Sequence, residues 1–181
     1  TSGTTSIERA ATSGTLALRL MDEAINAAFE EPSGSRRRRT RAVVVLHQDR
    51  LVAERYADGF APETPLLGWS MAKTVINALA GILVGQGRLS LSAELPQSFW
   101  QNHSDPRRSI TLDHLLRMTS GLEFREDYGN PFKDVIRMLL CNPDAAGYAA
   151  NKPLKTVPGD GWHYSCGITY IFSRVMREAI G

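Results

Sequence analysis

Apolar positions along this chain fall into a few blocks separated by polar stretches rich in glycine and proline. From Ser13 to about Glu30 they recur with a helical period. Leu16, Leu20, Ala24 and Ala27 share one stripe, and Met21, Ile25 and Phe29 lie beside it. Ser13 is placed to cap that helix, and Pro32 lies just beyond its end. Arg41 to Leu46 (RAVVVL) and Leu51 to Tyr56 (LVAERY) are short apolar runs around the polar turn His47–Arg50, which predicts an antiparallel hairpin. Asp58-Gly59 closes it, and Pro62 to Pro65 reads as a loop. Ser70 to Gln86 is the longest helix candidate, with Val75, Ile76, Leu79, Ile82 and Leu83 on a broad face and Gly85 and Gly87 at its end. Thr111 caps a predicted helix over Leu112–Met118, ended by Gly121. Another short helix is predicted over Phe132–Leu140, stopped by Asn142-Pro143. Pro158 to Gly161 forms a strong turn, and Thr169–Ile180 closes the chain as an amphipathic helix.

This pattern predicts an α+β fold. Thr1–Thr12, small and polar, is expected to fray. Residues 13–69 are expected to supply a helix and the hairpin, and 70–181 a helical subdomain. Two strands alone make a marginal sheet. Either helices cover both faces or further strands lie outside this chain, and the second is expected.

Composition narrows the class. The 181 residues are 43% hydrophobic and 22% charged, as in soluble globular domains. A net charge of +2 supplies no global attraction to nucleic acid. The one basic run, Arg36–Arg39 with Arg41, has no interleaved aromatics and reads as a solvated loop; a nucleic-acid module would rest on it alone. Two cysteines, Cys141 and Cys166, allow at most one disulfide and make no disulfide scaffold. The four histidines show no metal-ligand spacing, so neither a metal nor another cofactor is expected. No apolar run approaches the roughly 20 residues of a membrane span. The first residues carry no signal-peptide pattern, and the chain begins at threonine, which reads as a processed or trimmed start.

The sharpest chemical feature is Trp69-Ser70-Met71-Ala72-Lys73. Positions i and i+3 of a helix share a face, so a lysine amine comes within reach of a serine hydroxyl. Serine is a poor nucleophile without a neighbouring base, and lysine serves as one where burial or nearby positive charge lowers its pKa. The apolar helix that follows is expected to desolvate Lys73 strongly. The ordinary reading is a serine cap beside a solvated lysine. The loop-to-helix junction favours the chemical one, because helix N–H groups there meet developing negative charge. A second feature is His163-Tyr164-Ser165, after the Pro158–Gly161 turn, where a tyrosine beside a lysine relays protons. Alone, it would be an ordinary core tyrosine.

Three ordered stretches carry a resemblance. They are Ser70–Lys73 opening an apolar helix that runs to Gly87-Arg88-Leu89, Ile110–Leu122 (ITLDHLLRMTSGL), and Pro158-Gly159 followed by Tyr164-Ser165. From Arg41 to Gly181 the chain resembles the N-terminal part of the serine β-lactamase and penicillin-binding-protein superfamily. The branch resembled contains class C β-lactamases, D-alanyl-D-alanine peptidases, related esterases and 6-aminohexanoate-dimer hydrolases. The resemblance implies a β-lactamase/transpeptidase-like antiparallel sheet flanked by helices, with a helical subdomain. It implies Ser70 as the acylated nucleophile, Lys73 and Tyr164 as proton shuttles, and the Ser70 N–H as half of the oxyanion hole. Trp69 and Cys166 would face substrate, a small molecule or peptide-like amide, lactam or ester. It points slightly to the bacterial envelope or periplasm, the cytoplasm being the alternative.

Two departures qualify this. Cys166 stands where β-lactamases and peptidases often carry asparagine, which turns the reading toward esterases and amide hydrolases. As a nucleophile Cys166 has no evident base, and it reads as a small packing residue. The family's third motif, K-T-G or H-x-G on a late strand, is not in the chain, so half of a catalytic domain is expected, with the remaining part as its natural partner. Two other readings compete. One is a catalytically silent binding or scaffold protein. The other is an α/β-hydrolase-type esterase, because Gly68–Ala72 approximates the G-x-S-x-G elbow; that elbow needs an apolar strand directly before it, and none is predicted.

Overall fold

A computed structural model describes residues 15–34, 37–96 and 98–181. The expected Ser13 cap, the fraying segment Thr1–Thr12 and Arg36 lie outside the described residues. The chain divides into two units, Thr1–Leu67 and Gly68–Gly181.

In the first unit, helix α1 spans Thr15–Phe29, β1 Ala42–His47 and β2 Arg50–Tyr56. The strands pair antiparallel with a register shift between Val45 and Leu46. Gln48 and Asp49 between them both take positive φ, 50° and 59°. That twist suits a two-residue hairpin turn. The inward face of α1 differs from the expected stripe. Ile25 is buried and Leu18, Met21 and Phe29 half-buried, whereas Leu16, Leu20, Ala24 and Ala27 are exposed. Two overlapping apolar stripes run along this helix, and packing selects the one with the larger side chains. Among the described residues of the arginine run, Arg37–Arg39 and Arg41 are exposed, as expected of a solvated loop, while several local contacts hold the segment. Glu31 accepts the N–H groups of Arg38 and Arg39, both at 2.8 Å, the Arg38 guanidinium donates to the Ala27 carbonyl, and Arg41 lies over the Phe60 ring.

In the second unit, a 3₁₀ turn at Trp69–Met71 leads into α2 (Ala72–Gly85). A 3₁₀ turn at Pro106–Ser109 is followed by α3 (Leu112–Leu116), α4 (Asp134–Leu140), α5 (Ala145–Ala150) and α6 (Cys166–Ile180). Helix α6 organises the core. Ile168, Ile171, Phe172, Val175 and Met176 recur at i, i+3, i+4, i+7 and i+8, and all five are buried. They pack among Leu83 of α2, Leu115 of α3, Val135 and Met138 of α4 and Ala149 of α5. Thr111 caps α3 through a reciprocal pair with His114, as its position predicts.

Several elements differ from expectation: α3 ends at Leu116 rather than Met118, and α4 starts at Asp134 rather than Phe132. Helix α6 starts at Cys166 rather than Thr169, because the Ser165 hydroxyl, buried, accepts the Ile168 N–H. The α2 helix proper begins after Ser70. Its buried residues are Ala80 and Leu83, while Val75, Leu79 and Ile82 of the expected broad face are exposed. Helix α5, alanine-rich, has no apolar stripe to announce it; Asp144 caps it through the Gly147 N–H. Among the described residues, no helix is long and apolar enough to cross a membrane, and no group of three or more metal-ligating side chains forms. Cys141 and Cys166 are free thiols.

Candidate active site

The serine lies on a forced turn. Trp69, directly before it, holds φ at 44°, a left-handed conformation that costs a side-chain-bearing residue on the order of 1–3 kcal/mol. Met71 N–H donates back to Gly68 O at 2.9 Å, closing the turn that presents Ser70 at the head of α2. No strand precedes this turn: residues 57–68 are turn and irregular, unlike a nucleophile elbow.

Lys73 and Tyr164 meet at the serine. Lys73 Nζ donates to Ser70 Oγ at 3.1 Å, and Tyr164 Oη lies 2.5 Å from the same oxygen. Tyr164 comes from the segment entering α6, in which the His163 N–H donates to Met118 O at 2.8 Å. His163 Nε2 donates to Phe124 O at 2.6 Å, tying this segment to the loop that follows Leu122. Lys73 Nζ also lies 4.9 Å from the centre of the Tyr164 ring, so the phenol face stabilises the ammonium as well.

Lys73 departs from the strongly desolvated amine expected. It is half-buried. Burial, the largest single influence, pulls its pKa down, but Tyr164 and Cys166 beside it outweigh burial, and the net direction is upward. Lys73 is therefore an ammonium at neutral pH.

Cys166 and Trp69, read from the sequence as facing substrate, both line a cavity of about 470 Å³ together with Ser70, Lys73, Ile76 and Tyr128. Trp69 is 81% exposed. Cys166 Sγ accepts from Lys73 Nζ at 3.5 Å. Burial first, then Glu126, push the thiol above its ordinary pKa despite opposition from Tyr128 and Lys73. A thiol held protonated is a poor nucleophile.

Sequence reasoning missed two residues of this cluster, Glu126 and Tyr128. Tyr128 Oη donates to Glu126 Oε1 at 2.8 Å and lies 3.3 Å from Cys166 Sγ. Glu126 Oε2 accepts the Cys166 N–H at 2.9 Å. The Cys166 sulfur, burial and Glu126 hold the Tyr128 phenol well above its ordinary range. Both residues stand in an irregular loop without periodicity. The only signal was its acidic-aromatic composition, Glu126-Asp127-Tyr128, just before Pro131.

Comparison with known proteins finds a matching family and relatives. A family model described as Beta-lactamase matches residues 25–181. The 6-aminohexanoate-dimer hydrolase of Paenarthrobacter ureafaciens is 26% identical over 155 residues, covering 78% of this chain and 38% of its own length. A solved structure from Bacillus anthracis, provisionally named a 6-aminohexanoate-dimer hydrolase, matches with a TM-score of 0.56 and 21% identity. It covers 96% of this chain and 45% of its own, a likeness of fold. The chain thus spans less than half the length of either relative.

Proposed function

The chain belongs to the beta-lactamase family, and on that premise we propose that it carries the nucleophile and proton-transfer groups of a serine hydrolase acting through an acyl-enzyme. One observation carries the reading: Ser70 Oγ receives Lys73 Nζ at 3.1 Å and meets Tyr164 Oη at 2.5 Å. Ser70 Oγ attacks a carbonyl carbon while its proton passes to the Lys73–Tyr164 pair. Because Lys73 is an ammonium, it accepts the serine proton only after giving up one of its own. The Ser70 N–H, at the first turn leading into α2, receives the developing oxyanion. The C–N or C–O bond then breaks, and the pair returns the proton to the leaving nitrogen or oxygen. Water attacks the acyl group, gives its proton to the pair, and the Ser70 hydroxyl is restored.

We assign the helical subdomain to residues 70–181. The late-strand K-T-G or H-x-G element, with the second oxyanion N–H, is assigned to a further part of the parent protein, in keeping with relatives more than twice as long as the matched stretch. Two observations favour ester or linear amide substrates over β-lactams. Cys166 lines the cavity as a protonated thiol with no amide to grip a lactam substituent, and the named relative is a 6-aminohexanoate-dimer hydrolase.

The test is to incubate the protein with a p-nitrophenyl ester, a linear aliphatic amide and a labelled penicillin, and to search the Ser70 peptide for the acyl group by mass spectrometry. Acylation by the ester or amide, faster than by penicillin and absent in Ser70→Ala, is expected. Penicillin labelling faster than the ester would return the reading to lactamases and peptidases. Absence of any adduct, also in the parent protein that carries the late-strand element, would leave a silent binding protein.

A further inference from the structure

A line of polar contacts continues from the serine through Lys73, apart from the Tyr164 contact. From Ser70 Oγ the contacts run to Lys73 Nζ (3.1 Å), Cys166 Sγ (3.5 Å), Tyr128 Oη (3.3 Å) and Glu126 Oε1 (2.8 Å). The second Glu126 oxygen turns back to the Cys166 N–H at 2.9 Å. Cys166 is the first residue of α6. Its N–H is one of the donors that a helix leaves without an internal partner, and a carboxylate there also meets the positive end of the helix dipole. One carboxylate thus holds both the backbone and, through Tyr128, the side-chain environment of the residue that touches Lys73.

The stretch leading into Glu126 is held by three successive residues. Glu123 N–H donates to Pro153 O at 2.8 Å, Arg125 N–H donates to Asp134 Oδ2 at 2.8 Å, and Phe124 O takes the His163 ring. Glu126 is therefore presented by a braced loop. A braced carboxylate with both oxygens used is a positioning device, not a spare surface charge.

We propose that Glu126 is a positioning residue: it clamps Cys166 and Tyr128 so that the Cys166 sulfur fixes one side of the Lys73 ammonium and keeps it aimed at Ser70. The inference rests on the serine-hydrolase reading for its effect on acylation, but the clamp itself has a readout independent of that reading. Displacement of a reacting group by about 1 Å costs up to roughly 100-fold in rate. Glu126→Gln, which keeps the shape but turns an N–H₂ toward one of two donors, should therefore slow Ser70 acylation by about 10- to 100-fold. Tyr128→Phe keeps the carboxylate–helix bond and should have the smaller effect.

The independent readout is alkylation of Cys166 by iodoacetamide, followed by peptide mass spectrometry across pH 6–10 in a Cys141→Ser background. Glu126 opposes ionisation of the thiol and Tyr128 favours it. Glu126→Gln should shift the alkylation profile to lower pH, and Tyr128→Phe should shift it to higher pH. Opposite shifts, with unchanged melting curves, are the expected result. Unchanged profiles and acylation within twofold of wild type in both variants would overturn the clamp. If Glu126→Gln fails to fold, the Tyr128→Phe shift decides alone, upward for the clamp and absent against it. A wild-type protein whose Ser70 never acylates would sink the hydrolase reading while leaving the alkylation test intact.

Discussion

Lys73 shows how a three-residue spacing becomes chemistry and where spacing stops being informative. That Ser70 and Lys73 would touch was legible, because one helical turn puts i and i+3 on one face, and even the shift to a 3₁₀ turn leaves them 3.1 Å apart. The charge state was not legible. It depends on Tyr164 and Cys166, more than 90 positions away, whose proximity to the amine outweighs its burial. The sign fixes a pH dependence. A raised pKa keeps Lys73 protonated to higher pH, so acylation should rise with pH as Lys73 loses its proton. Cys166→Ala removes one of the groups that raise the Lys73 pKa, and should move the midpoint of the rise to lower pH in a pH–kcat/KM profile. A midpoint that moves upward or stays would contradict the coupling. Tyr164→Phe deletes one partner of the pair and should lower kcat by about 10²–10⁴-fold, the usual contribution of a positioned proton-transfer group. Steady-state ester hydrolysis checks it.

At the scale of elements, the junction into α6 decides where Tyr164, Cys166 and Glu126 meet. Gly167, second in the helix, has no room for a side chain: a Cβ would lie 2.7 Å from the Phe124 ring and 2.9 Å from the Ala149 side chain. Gly167→Ala must displace the ring or the helix start. It should cost about 1–3 kcal/mol in denaturant unfolding and slow Ser70 acylation as well. Stability lost with acylation intact would show that Phe124 yields and the site does not. The closing helix was legible over Thr169–Ile180 from its amphipathic pattern, and the α3 cap from Thr111. The start of α6 was not, because Cys166-Gly167 is a poor helix opening by propensity and is secured by Ser165 and Glu126 instead. Helix α5 escaped notice for a related reason: alanines carry no periodic contrast, and Asp144, its cap, also pairs with Arg174 on α6. The Glu126–Tyr128 loop lacks any period, so its role emerges only once Pro153, Asp134 and His163 have braced it.

For the molecule as a whole, acid should be the weak direction. Burial alone would raise the Asp134 pKa, yet Lys152, the Arg125 N–H and the Tyr148 hydroxyl together lower it. Asp105 beside Arg107 and Asp144 beside Gly147 N–H and Arg174 are lowered too. A depressed carboxyl pKa stabilises the fold above its unfolded value, about 4, and that stability is lost as pH falls through the lower folded value. Melting temperature should hold steady above about pH 5 and drop steeply below 4. Asp134→Asn should cost about 2 kcal/mol at neutral pH and flatten the acid limb. A melting temperature that rises on acidification would contradict these pairs.

The central claim, that Lys73 and Tyr164 activate Ser70, is tested most directly by the rate at which a fluorescent fluorophosphonate modifies the protein, with the adduct located by peptide mass spectrometry. A single adduct on Ser70 is predicted, absent in Ser70→Ala and at least about 100-fold slower to form in Lys73→Met. An adduct on another residue, or a Lys73→Met protein that reacts at the wild-type rate, would contradict the account.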